Sequence, residues 1–189
     1  MRTLVISLLA VFLLAACQKK QNGNIDPDSV FNLQSSWEQP DGSKIKLEDL
    51  KGKVLTMVMI YTSCKTACPR LTADMKEIEA KVGHTNTDDL KYVLVSIDPE
   101  HDTPEKMRDF IKNNGLGGKQ WVFLRGNEED TRELANVLAV KYKKITPMDF
   151  SHSNIISVFS KAGTLVHQKE GLSIDINTTV DEVKKELKK

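Results

Sequence analysis

Cys64 and Cys68 are separated by three residues in the run Tyr61-Thr62-Ser63-Cys64-Lys65-Thr66-Ala67-Cys68-Pro69. A curved loop of that length brings two sulfurs together. A disulfide asks only that the Cα atoms approach within about 7 Å, so the spacing suits a disulfide, a metal site or a redox couple alike. The thiolate is the reactive form in each case, as nucleophile and as ligand. Pro69 is suited to open a helix, because the first helical position has no use for an N–H. Cys68 then sits at the cap and Cys64 in the preceding loop. Free N–H groups and the helix dipole there lower a thiol's pKa, and Lys65 adds a positive charge. As a redox pair, Cys64 is the expected nucleophile and Cys68 the resolving thiol. As a metal site, thiolates favour Cu(I), and an imidazole suits copper in either oxidation state. Four histidines are candidates for a third donor: His84, His101, His152 and His167. His84 follows the glycine that ends a helix, and His167 lies inside a strand. His101 sits in a loop and stays open. His152, just ahead of a strand, is the preferred ligand. A purely structural disulfide is poorly rewarded, since a five-residue ring constrains the unfolded chain little.

The elements that must position these residues alternate. Phe31–Leu33 and Lys44–Leu47 flank Pro40-Asp41-Gly42-Ser43 and read as an N-terminal hairpin. Val54–Ile60 and Leu90–Ile97 are apolar runs of strand length, buried on both faces. Leu71, Met75, Ile78 and Val82 form one helical stripe, ended by Gly83. Thr103-Pro104 opens a second helix, with Met107, Phe110 and Ile111 inward. Trp121–Leu124 is a short strand. Asn127 starts a third helix with Leu134, Val137 and Leu138 inward. Asn154–Phe159 and Thr164–Gln168 read as a second hairpin, and Thr179-x-x-Glu182 as the capping box of a last helix. Strand, cysteine pair at a helix start, βα units and a terminal ββα describe an α/β protein. The arrangement is thioredoxin-like, with a mixed central sheet flanked by helices.

The chain has 189 residues, 40% hydrophobic and 28% charged, enough for one domain with tails and unlike a disordered or disulfide-dense protein. With 27 basic against 26 acidic residues and 6% aromatics, no nucleic-acid partner is expected. Leu4–Ala16 is apolar but shorter than the roughly 20 residues of a membrane span. Residues 1–16 therefore read as a signal peptide. Leu14-Ala15-Ala16-Cys17 resembles a bacterial lipoprotein processing box, which makes Cys17 the lipidated N-terminus. Residues 17–30 read as a flexible tether and 31–189 as the folded domain. Localisation in a bacterial cell envelope, outside the cytoplasm and anchored by lipid, is the expectation.

From about Phe31 to Leu187 the chain resembles the Sco/SenC copper chaperones of cytochrome oxidase assembly. Three segments carry the likeness: Cys64-x-x-x-Cys68-Pro69 after a buried strand, Ser96-Ile97-Asp98-Pro99-Glu100-His101-Asp102-Thr103-Pro104, and His152-Ser153 before a strand and a Lys-Ala-Gly turn. The resemblance implies one copper, Cu(I) or Cu(II), bound by Cys64, Cys68 and His152. It implies a metallochaperone that supports the copper A site of cytochrome c oxidase, with oxidase subunit II or another copper or thiol protein as partner. The alternative is a thiol–disulfide oxidoreductase acting on extracytoplasmic protein thiols, for which His152 would be dispensable. The Asp98–Pro104 loop carries no chemistry in either reading. Departures from the family pattern are Lys65 in place of a proline, Ser151 in place of an acid and His101 in place of an arginine.

Overall fold

The computed structural model describes residues 25–189 other than 84, 85, 87, 148, 173 and 174. The signal segment, Cys17, most of the tether and His84 lie outside the described residues. In chain order the elements are β1 (Trp37–Glu38), β2 (Lys44–Ile45), β3 (Val54–Ile60), α1 (Ala67–Val82), β4 (Leu90–Ser96), α2 (Pro104–Asn114), β5 (Trp121–Leu124), α3 (Glu128–Val137), β6 (Tyr142–Thr146), β7 (Asp149–His152), β8 (Ile155–Phe159), β9 (Leu165–Glu170) and α4 (Asn177–Leu187).

Five strands form the central sheet in the order β5-β4-β3-β8-β9. β3 pairs in parallel with β4, and β4 with β5, while β8 runs antiparallel to both β3 and β9. All seven residues of β3 and all seven of β4 are buried, as expected of central strands with both faces covered. α1 and α4 pack on each other and on the β3 side of the sheet. The stripe of Leu71, Met75 and Ile78 is wholly buried in that layer. Because β3 ends in the middle of the sheet, the loop leaving it emerges where neighbouring strands also end. Reacting groups in such folds gather there.

Several elements differ from the sequence reading. The N-terminal hairpin is β1 with β2, not Phe31–Leu33 with Lys44–Leu47. Phe31 lies in a 3-10 turn, Val30–Asn32, and Leu47 opens another, Leu47–Leu50. Strands of two residues are too short to carry an alternating pattern. Glu38 pairs with Arg125 through two backbone hydrogen bonds of 2.8 and 3.0 Å, so this hairpin extends the chain beyond the β5 edge. Ser29 and Val30, read as tether, are buried. Val137 is 46% exposed, and Thr131, Leu134, Ala135 and Leu138 form the inward face of the third helix. The last helix starts at Asn177. Thr179 is buried with its hydroxyl 3.0 Å from His167 Nε2, and Glu182 pairs with Lys185, so neither forms the expected capping box.

The N-terminal segment docks on the β8–β9 turn. Val30 N–H donates to Gly163 O at 2.9 Å, and Ser29 Oγ donates to Ala162 O at 2.6 Å. Gly163 has φ +82°, and a Cβ there would collide with Ser29 Oγ and stand 2.6 Å from the Phe31 ring. Gly163→Ala is expected to cost about 3 kcal/mol, combining left-handed strain with overpacking. The urea midpoint measures it, and an unchanged midpoint would contradict the packing described.

Candidate metal centre

β3 delivers the chain to Tyr61, and α1 takes it away from Ala67. Between them the loop is held from the side by Asp102. Its carboxylate accepts Thr62 N–H at 3.1 Å, Thr62 Oγ1–H at 2.5 Å and Ser96 Oγ–H at 2.6 Å. Burial pushes the Asp102 carboxyl upward, and the hydroxyl donors oppose that shift. The loop after β4, expected to be a turn without chemistry, is thus the buttress of the cysteine loop.

α1 begins two residues earlier than Pro69 suggests. The first four N–H groups of any helix lack an internal acceptor, so a proline fits throughout the first turn and does not mark a unique start. Cys68 is therefore the second helical residue rather than the cap, and its N–H is free. It donates to Cys64 Sγ at 3.3 Å. Thr66, the residue at the cap, makes no side-chain capping bond. The Cys64 sulfur takes that role. Cys68 is fully buried and Cys64 is 8% exposed. The adjoining Cys68 side chain is the main reason the Cys64 thiol is pulled down to about 4, and the Cys68 and Thr66 amides act in the same direction. The neighbouring Cys64 sulfur, together with burial, drives the Cys68 thiol far upward. At neutral pH one thiolate, on Cys64, and one thiol, on Cys68, share the site.

His152 ends β7, and its Nε2 lies 3.6 Å from Cys68 Sγ. Its Nδ1 is 3.0 Å from the Ser153 carbonyl, which can only accept, so Nδ1 carries the proton and Nε2 presents a lone pair to the sulfurs. The three donor atoms lie within 4.8 Å of one another. Tyr61, wholly buried, meets His152 edge-on with ring centroids 5.9 Å apart. Of the other histidines described, His101 bonds Asp98 at 2.8 Å and belongs to a separate group with Glu100, and His167 bonds Thr179.

The sequence places His152 just ahead of a strand and offers no sign of the strand pair that carries it. β6 pairs with β7 as a separate two-stranded sheet, with Tyr142 opposite His152. β6 is mostly exposed, and neither strand shows the apolar alternation that marks a buried one. Tyr61, Asp102 and Asp149 are the site residues that sequence reasoning missed. Their contacts span 40 and 88 positions, and nothing local announces them.

The family model described as SCO1/SenC matches residues 26–188. A SCO1 protein homolog of Bacillus subtilis (strain 168) is 28% identical over 188 residues, spanning 98% of this chain and 94% of its own. The solved structure of BsSco, described as a member of the Sco family of cytochrome c oxidase assembly proteins, is similar with a TM-score of 0.71 and 27% identity, over 81% of this chain and 91% of that one. Arabidopsis thaliana ScoI, solved with copper bound, has the same fold, with a TM-score of 0.70 at 23% identity, over 82% of this chain and 96% of its own.

The thiol asymmetry is directly measurable. In reduced, metal-free protein the thiolate absorbance near 240 nm is expected to fall with a midpoint near pH 4, and Cys64→Ala removes that step. An unfolded cysteine titrates near pH 8.5. The folded value is depressed, so the stability this thiolate contributes is complete above about pH 8.5 and is lost as pH falls toward 4. A midpoint near 8 would contradict the assigned hydrogen bonds.

Proposed function

The chain belongs to the SCO1/SenC family, and from that premise we propose that it is an extracytoplasmic copper-binding metallochaperone. Cys64 Sγ, Cys68 Sγ and His152 Nε2 hold one copper ion as cargo. The observation that carries this reading is the convergence of those three atoms within 4.8 Å. Two thiolates and an imidazole are soft and borderline donors, which suit Cu(I) and leave little for hard cations such as Mg2+ or Ca2+. Buried sulfurs keep the ion from water, and the Ser153 carbonyl fixes the imidazole tautomer that ligation requires. The recipient on this reading is cytochrome c oxidase subunit II, at its copper A site. BsSco is described as belonging to a family of oxidase assembly proteins. Leu14-Ala15-Ala16-Cys17 supports a lipid anchor that keeps the domain at the outer face of a membrane.

The cysteine geometry also favours a second reading, thiol–disulfide exchange. A Cys64 thiolate would attack a partner disulfide and release one partner thiol. Cys68 would then attack the mixed disulfide, release the second and leave Cys64 and Cys68 oxidised. His152 separates the two functions, because only the copper reading needs it.

Three measurements test these assignments. Reduced protein titrated with Cu(I) under anaerobic conditions is expected to bind one equivalent tightly. Replacing Cys64 or Cys68 by Ala is expected to weaken it by more than the roughly 10–100-fold that loss of an outer-shell partner costs. His152→Ala is expected to weaken it by at least about 10-fold while leaving disulfide exchange intact. Unaltered affinity in all three variants would overturn the site. Because Cys64 is already ionised and Cys68 is not, copper binding near pH 7 is expected to release about one proton per ion from the thiols. Release of two would mean both thiols start protonated. Cys17→Ser is expected to move the protein from the membrane fraction to the soluble one, and an unchanged distribution would exclude the lipid anchor.

A further inference from the structure

The donor set divides unequally between two supports. Cys64 and Cys68 are fixed by the end of β3 and the start of α1, both inside the main body. His152 arrives on β6–β7, which among the described residues shares no ladder with the five-stranded sheet. An isolated two-stranded ribbon is marginal in water, so something must hold this one down. Beneath part of it lies a cleft of about 680 Å³, with Asp98, Pro99 and Glu100 on one wall and Tyr142, Lys144 and Phe150 on the other. The ribbon meets the core through Tyr142 and Phe150, and the cleft separates part of it from the body. Its ion pair from Lys144 to Glu100, 3.1 Å, joins side chains 41% and 72% exposed, a setting in which such pairs add little.

The strong attachment is at Tyr61. Its phenol donates a hydrogen bond to Asp149 Oδ1 at the first residue of β7. Phe150 N–H is shared between the Tyr61 oxygen, at 3.3 Å, and Asp149 Oδ1, at 3.0 Å. The Tyr61 ring packs edge-on against Phe150, with centroids 5.2 Å apart, and against His152. One side chain, three residues before Cys64, thus touches the ribbon at both ends of β7.

We propose that Tyr61 and Asp149 are positioning residues, whose hydrogen bond latches the β6–β7 ribbon to the cysteine loop and so sets how often His152 stands over Cys68. This deepens the copper reading and rests on it for the effect on metal affinity, while the latch itself has a metal-free readout. Tyr61→Phe keeps the ring in the core and deletes the phenol's bonds to Asp149 and Phe150. Asp149→Ala removes the acceptor from an exposed ribbon, and Asp149→Asn retains an oxygen that accepts.

In metal-free protein, Tyr61→Phe and Asp149→Ala are expected to speed amide exchange of residues 142–152 at least about 10-fold, with β3, β4 and β8 unchanged. Asp149→Asn is expected to restore protection. Unchanged ribbon exchange, or a uniform rise across the sheet, overturns the latch. With Cu(I) as the ligand, Tyr61→Phe is expected to weaken binding about 10-fold in the parent and not at all in a His152→Ala background, because it acts through that histidine. Equal losses in both backgrounds overturn the positioning role. Were His152→Ala itself without effect on copper while ribbon exchange still responded to Tyr61→Phe, the failure would belong to the copper reading and not to the latch.

Discussion

One backbone amide organises the reacting end of this protein. The N–H of Cys68, free because it lies in the first turn of α1, points at the sulfur of Cys64. A helix start offers donors and partial positive charge, and here the group that accepts them is a thiol rather than the usual serine or aspartate oxygen. The consequences follow from that substitution. The sulfur that caps the helix is stabilised as an anion, and its buried neighbour keeps its proton. Two identical residues are made chemically different, one by accepting the helix's free amide and the other by lying buried behind it. The same bond ties the redox or metal state of the pair to the integrity of the first turn of α1.

Such a cap works only if the loop before it is rigid. Asp102 supplies that rigidity from the loop after β4, using a carboxylate withdrawn from water and filled by three donors. Parallel pairing of β3 with β4 makes this possible, because both strands end on the same side and Ile97 N–H still bonds Ile60 O at 2.8 Å beyond the ladder. The sheet therefore fixes not only the cysteine loop but also the segment that braces it.

How much of this is visible in the sequence depends on the range of the interaction. Val54–Ile60 reads as a doubly covered strand because the burial of all its residues leaves a continuous apolar run. The stripe of Leu71, Met75 and Ile78 is legible for the same reason at a helical period. His152 was reachable because it directly precedes another buried strand, Ile155–Phe159, whose register fixes its end of the sheet. Pro69 points to a start for α1 two residues too late, because a proline is compatible with several first-turn positions. Thr179 and Glu182 imitate a capping box but spend their side chains on His167 and Lys185. The ribbon bearing His152 left no periodic signal, since one of its strands is nearly all exposed and the other alternates only weakly. The bond from Tyr61 to Asp149 depends on the whole fold having first brought distant segments together.

The division of donors between a rigid body and a lightly attached ribbon has a kinetic meaning. For any ion seated on the two sulfurs, the imidazole is present at an effective concentration set by how tightly the ribbon is held, as for any tethered second ligand. A firm hold makes the site behave as a three-point chelate with slow release. A loosened one reduces it to a two-coordinate dithiolate with an open flank, to which an incoming ligand can add before either sulfur lets go. On the copper reading, retention and exchange would then be two regimes of a single site, set by how firmly one ribbon is held.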